Sequence, residues 1–535
     1  FFFFSENNFL HNRQSNGLMK LLVTTFLLLL QTSSSYIQSS QFTSNQPRGH
    51  RRFVDTPHVA KFYRNRSLRS HSASPSCCNA GDATSRIARG GSSPTLTSEF
   101  LRISLPALIQ LTAEPLASLV DTYYLSKLGP TVLGGAGVAI TGGYALGKIV
   151  GDPVLRCCIS LVASSSGDEK KLSTNVTVAL LLALTIGIAQ SVFYLFNSKN
   201  ILLGLGVPQT STMYAPAFSY MMVRGFALPA SMLWLVVNGV YRGIGDTVTP
   251  LVWSCVFTAL NVILDPIFMF RMGMGSAGAA MGTAVAQYIA LIPLLVKMSS
   301  KVGLVNPLSS EVRGPFLKSL RSYLSASARV CVRSTLKVST YAYTSRLSAL
   351  LGPIQAAAYN LCFQIGFVTT QCCESIAVAT QTLLAREFGK EERERRGDYI
   401  RKVIGLSCWS GGLLSAALSL LTYFNRSSVI SKLSSDPGVR AACYAIFPAV
   451  LICQALKGLA YPANGVVMGG SDWTYSMITM GIANLFAAAV LGSMGRMGEV
   501  GLKGIWWALA GFMGTQVMAS AIRVKSKTGV WKCLK

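Results

Sequence analysis

From about Phe100 to Arg523 the sequence repeats one pattern: apolar stretches of roughly 20 residues separated by short polar connections. A helix needs about 20 residues to cross the hydrocarbon core of a bilayer, where no water can satisfy an open backbone. The pattern therefore predicts an all-α membrane protein of about twelve transmembrane helices. The expected spans are 101–125, 131–155, 173–197, 213–240, 249–270, 277–298, 323–349, 354–385, 401–423, 440–467, 474–494 and 503–523. Half of the residues are hydrophobic, only 13% are charged and the mean hydropathy is +0.43, whereas a soluble domain carries about 25% charged residues. That composition argues against a soluble enzyme.

The 535-residue chain nevertheless has a formal charge of +27, which in a soluble protein would suggest a nucleic acid or a membrane surface. Location removes the conflict. Residues 1–98 hold +8 and the remainder +19. In the membrane part the basic residues concentrate in connections on one side, at Arg156, Lys170, Lys171, Arg242, Lys301, Arg313, Arg386, Arg393 and Arg523 among others. Such an excess marks the cytosol-equivalent side. No nucleic-acid partner is needed to explain the charge.

Residues 1–18 precede the first methionine and read as an upstream extension or a fragment end. Residues 19–35 carry Lys20, the apolar run Leu21–Leu30 and a small-residue zone at Thr32 to Ser35, the layout of a secretory signal peptide. Residues 36–98 are rich in Ser and Arg and poor in acids, like a disordered transit segment. The two-part presequence points to a plastid envelope, with a secretory-pathway membrane as the alternative.

The membrane part is a tandem duplication. Leu128-Gly129-Pro130 returns as Leu351-Gly352-Pro353, and Asn238-Gly239-Val240, Gly243 and Asp246 return as Asn464-Gly465-Val466, Gly469 and Asp472, at offsets of 223 and 226. Six spans per half give two parallel copies facing a central cavity. The expected organisation is a first six-helix lobe at 99–300, a connection at 301–322, a second lobe at 323–523 and a basic tail at 524–535.

Ionisable residues inside spans are costly and mark ion paths, cavities or partners. Glu114 and Asp121 lie two helical turns apart on one face of the first span; Asn261 and Asp265 share a face of the fifth. Burial favours the protonated carboxyl and a nearby cation the ionised one, so such a cluster can alternate between holding and releasing an ion. In the second half, Arg329, Arg333 and Lys337 step by four along one helix face, a stripe that could attract an anionic or zwitterionic solute or line an interface. Asp246 and Asp472 read as helix caps beside tight turns. Most of the thirteen cysteines fall inside spans with no metal-ligand spacing and read as small apolar fillers. Gly142 to Lys148 begins like a phosphate-binding loop, but Ile149 replaces the hydroxyl residue that would hold Mg²⁺. All four histidines precede position 72, which leaves no histidine relay in the membrane part.

The segment Glu114-Pro-Leu-Ala-Ser-Leu-Val-Asp121-Thr-Tyr-Tyr-Leu-Ser-Lys-Leu-Gly129-Pro130 resembles the first-helix signature of multidrug and toxic compound extrusion (MATE) transporters, in particular the plant-type plastid branch. Tyr241 to Pro250, Asn261 to Phe268, Gly278 to Thr283 and Glu374 to Ala385 are similar to further motifs of that family. The resemblance implies a twelve-helix, two-lobe fold and an antiporter that exports drugs or metabolites by alternating access. It implies a cation site at Asp121, Asn261, Asp265 and Thr283, with Glu114 nearby where relatives often have Asp or an amide. It also implies bending of the first helix at Pro106. Arg333, Glu374 and Gln381 are the candidate cavity residues of the second half. Expected partners are an organic solute, H⁺ or Na⁺ as coupling ion and the bilayer; no cofactor, resident metal or second subunit is expected. The alternative is a passive channel or lipid scramblase on a related two-bundle fold.

Overall fold

The computed structural model describes residues 95–205, 207–307, 310–433, 437–496 and 501–534. The signal-like segment and nearly all of the transit-like segment thus lie outside the described residues, as does the Glu114 side chain.

Among the described residues there are twelve long helices, one for each expected span. They are α1 (Leu96–Ser126), α2 (Pro130–Ala163), α3 (Glu169–Gly204), α4 (Tyr214–Gly243), α5 (Val248–Pro266), α6 (Gly275–Lys301), α7 (Ser310–Leu350), α8 (Pro353–Phe388), α9 (Gly397–Leu433), α10 (Pro437–Gly469), α11 (Trp473–Arg496) and α12 (Leu502–Lys525). Nine are long and apolar enough on their own to cross a membrane. The 41-residue α7 is not among them, because it carries Arg329, Arg333 and Lys337. It also begins at Ser310, well inside the stretch expected as a connection. The basic tail is not loose: it turns through Gly529–Leu534 and buries Trp531 and Leu534 against α8 and α9.

The repeated tripeptide has a geometric cause. Gly129 (φ 98°) and Gly352 (φ 113°) occupy a backbone region closed to side-chain-bearing residues, and the prolines that follow open α2 and α8. The second repeated motif lets helices approach. A Cβ on Gly239 or Gly243 would strike Leu155 or Val162 of α2, and one on Gly465 or Gly469 would strike Ala377 or Leu384 of α8. So α4 lies on α2 as α10 lies on α8.

The motif aspartates close the same pattern. Asp246 caps α5, accepting from the Thr249 N–H at 3.0 Å, and takes the Lys301 ammonium at the end of α6 at 2.5 Å. Burial acts to raise its pKa, but Lys301 and the Thr249 N–H and hydroxyl outweigh it and hold the carboxyl below the usual carboxylate range. Asp472 pairs with Arg523 at the end of α12, 2.7 Å away.

The outer surface carries Phe196, Trp409, Phe424 and Leu485, each at least 70% exposed, as expected of side chains that face lipid rather than water. The described cysteines are all free, and most are buried among apolar side chains.

The halves are joined near the end where α1 begins. Phe100 and Ile103 of α1 pack with Ile376, Leu383 and Leu384 of α8. Gln381 donates to the Arg156 carbonyl and the Ser160 hydroxyl, both at 2.8 Å, and Thr382 donates to the Arg242 carbonyl at 3.0 Å. Arg386 donates to Glu99 at 3.1 Å and to the Ile244 carbonyl at 2.5 Å. This is the side that the basic residues assign to the cytosol-equivalent compartment.

Candidate ion-coupling and substrate sites

In the first half, α1, α5 and α6 bring Asp121, Asn261, Asp265 and Thr283 together. The Asn261 amide donates to Asp265 Oδ1 at 3.0 Å and to the Thr283 hydroxyl at 3.2 Å, and that hydroxyl donates to the Ala279 carbonyl at 2.9 Å. Asn261 is 1% exposed and Asp265 0%. The Asp121 carboxyl faces that of Asp265. Oδ1 of Asp121 and Oδ2 of Asp265 are buried without a hydrogen-bond partner. Two facing buried carboxyl groups with orphaned oxygens cannot both carry charge unrelieved. Taking up a proton or a small cation would relieve them.

Two contributors escaped the sequence reading. Gly282 is the first: a Cβ there would collide with the Asp265 carboxylate, so glycine is what leaves room for it. The sequence carries the clue, since Gly282 lies in the Gly278 to Thr283 motif. Arg224 of α4 is the second. It lies within electrostatic reach of Asp121, and its Nη1 is buried without a partner; a lone arginine in an apolar run gave no spacing signal.

Pro106 sits in α1 with the helix continuous through it. A proline has no N–H, so the carbonyl of Arg102, four residues earlier, loses its helical donor. The Thr247 hydroxyl stands in, 3.3 Å from the Arg102 carbonyl and 3.0 Å from that of Ile103. One turn later the Gln110 amide donates to Asn238 at 2.5 Å and to Ser254 at 3.0 Å, and Arg242 donates to the Gln110 side chain at 3.1 Å. The weak point of α1 is thus braced against α4 and α5.

The basic stripe of α7 divides. Arg329 is tied to Thr474 and Ser325, while Arg333 and Lys337 line a cavity with Arg156, Glu374, Tyr461, Asn464 and Gln516. Arg156 comes from α2 in the first half and pairs with Asp152 at 3.0 Å and with Glu374 of α8 at 3.1 Å. Arg333 is 3% exposed and its Nε is without a partner. The Lys337 ammonium lies over the Tyr461 ring, 5.3 Å from its centre. Gln381 does not line this cavity; it is 2% exposed and its amide is spent on α2. Arg156, which the sequence presents only as an orientation charge, reaches the cavity instead.

Known proteins share the two-half helical fold. The MatE family profile matches twice, over residues 106–267 and 330–493. The chain belongs to the MatE family. The double match is the tandem repeat itself. Among similar proteins of Arabidopsis thaliana, Protein DETOXIFICATION 43 is 29% identical, over 82% of this chain and 92% of its own length. Protein DETOXIFICATION 44, chloroplastic, is 28% identical over 82% of this chain and 84% of its own. A Vibrio cholerae MATE transporter, VcmN, in its bent form superposes with a TM-score of 0.71 at 16% identity, covering 82% of this chain and 96% of that one. This MATE protein is a multi-pass membrane transporter of the multidrug and toxin extrusion type, not an enzyme.

Proposed function

We propose that this MATE transporter is an antiporter that exports an organic anion in exchange for H⁺ or Na⁺ taken up at Asp121, Asn261, Asp265 and Thr283. The observation that carries the exchange is the pair of facing, buried carboxyl groups with an orphaned oxygen on each. An entering cation relieves their repulsion and changes how α1 is held against α5 and α6, the helices that carry the rest of the site. Glu114, on the same helix, belongs to the proposed site by its spacing from Asp121. The anion is supported by the charge of the cavity, where Arg156, Arg333 and Lys337 stand against Asp152 and Glu374.

The test is transport by the full chain in proteoliposomes, with labelled succinate as probe and separate H⁺ and Na⁺ gradients. Asp121→Asn should lose gradient-driven flux against the succinate gradient while still inserting normally. Undiminished driven flux in the variant sinks the coupling role, and passive flux alone in the unmodified protein favours a channel.

The reading extends to location. The bipartite character of residues 19–98, together with relatives named chloroplastic, supports a plastid envelope. A fluorescent protein fused to residues 19–98 should enter the plastid; accumulation in the endoplasmic reticulum would end this part of the proposal.

A further inference from the structure

The second-half cavity is built for a negative charge but has no room for a solute. Its volume is about 10 Å³, space for a single water molecule. Arg333, which lines it, is 3% exposed with its Nε unpartnered, and Lys337, which also lines it, lies over the Tyr461 ring. A buried guanidinium with an open N–H is expensive to maintain, and a carboxylate is its natural partner. The carboxylate that reaches the cavity is Glu374, which Arg156 holds at 3.1 Å while Asp152 takes the Arg156 Nε at 3.0 Å.

We propose that Glu374 is a tethered stand-in for the substrate's carboxylate, held by Arg156 until an incoming organic anion displaces it and takes Arg156 and Arg333 together. The inference rests on the organic-anion reading above. Three physical points support it. A guanidinium binds carboxylates of a ligand and of a side chain in the same fork geometry, so the two compete for one place. Arg333 supplies the unsatisfied donor that Glu374 leaves over, so a ligand with a second acidic or polar oxygen gains a contact that Glu374 does not make. And Arg156 and Glu374 lie on opposite halves, α2 and α8, so displacing Glu374 also undoes an ion pair between the halves. Arrival of substrate would thereby loosen the joint that alternating access has to open, whereas an empty carrier keeps it shut. A solute without an anionic group could not make this exchange.

The test compares the full-length protein with Glu374→Gln in lipid nanodiscs, using labelled succinate as the anionic probe and tetraethylammonium as the cationic one. Removing the internal competitor should tighten succinate binding about tenfold or more. Without succinate the variant should melt at lower temperature, because Arg156 and Arg333 are left short of negative charge. Succinate should raise the melting temperature of the variant by more than that of the unmodified protein, whereas a merely structural role for Glu374 predicts equal shifts. If the variant can be purified only with succinate present, that dependence supports the proposal equally; collapse regardless of succinate overturns it. Equal succinate affinity in the two proteins overturns the stand-in role and leaves the anion reading intact. Binding of tetraethylammonium but not succinate by both proteins overturns the anion reading itself.

Discussion

At the scale of single residues, the proposed coupling site depends on a side chain that is missing. Asp265 fits under α6 because position 282 is glycine. Gly282→Ala would push the carboxylate away from Asn261, whose amide holds Oδ1 at 3.0 Å. Overpacking of this kind costs about 1–3 kcal/mol, so the variant should insert, melt at modestly lower temperature and lose ion-driven succinate flux almost completely. Flux at the unmodified level with a lowered melting point would show that Asp265 can move without consequence. The carboxylates and the amide were legible in the sequence because charge within an apolar span stands out, and their spacing put them on shared faces. Arg224 was not legible as part of the site, since nothing in the order of residues says that α4 faces the carboxylates of α1 and α5. Arg156 was visible but misleading: its charge served the orientation argument, and only the packing of α2 against α7 and α8 shows that it points inward.

At the scale of elements, the sequence carried the number and order of the helices because hydrophobic length alone defines a span. It carried the duplication because close helix approach demands glycine at fixed places. Gly239 and Gly243 of α4 against α2, and Gly465 and Gly469 of α10 against α8, are the same packing solution used twice. Helix ends were less legible. α7 continues the helix outward to Ser310 with a polar, charged turn that no hydropathy argument can separate from a loop, and the terminal stretch docks through Trp531, one aromatic in a basic tail. Pro106 illustrates a different limit. The proline predicts a break in hydrogen bonding, and the break is present at Arg102, but the Thr247 hydroxyl takes up the freed carbonyl. A brace of that kind depends on a residue about 140 positions away and cannot be read from the proline's neighbours. Its chemical meaning is that any bend of α1 at Pro106 requires Thr247 and the Gln110 network to let go, so the proposed coupling ion would work against a small, definite set of hydrogen bonds.

At the scale of the whole molecule, the proposed alternating access requires the contacts between the two halves on one side to open. On the side where α1 begins, Gln381, Thr382 and Arg386 hydrogen-bond across the halves, and two of these bonds are made by Arg386. It donates to Glu99 of α1 and to the Ile244 carbonyl just beyond α4. Gly245, with φ +79°, leaves the space in which the guanidinium lies, and a Cβ there would collide with it. Charge-assisted hydrogen bonds contribute about 1.5–3 kcal/mol each, and about 1.4 kcal/mol is a tenfold change in an equilibrium constant. Arg386→Ala should therefore shift the balance between closed and open forms of this side by at least about tenfold toward open. Spin labels carried on non-natural residues at the exposed positions Ser166 and Glu392 leave the native cysteines in place and report the separation of α2 and α9 ends directly. The unmodified protein should give one short-distance population by double electron–electron resonance, and Arg386→Ala should add a longer one. The same variant should bind succinate from this side faster, because the path to Arg156 and Arg333 is no longer blocked. An unchanged distance distribution would mean that apolar packing of Phe100 and Ile103 on α8 closes the gate by itself, with the Arg386 contacts following from closure rather than holding it.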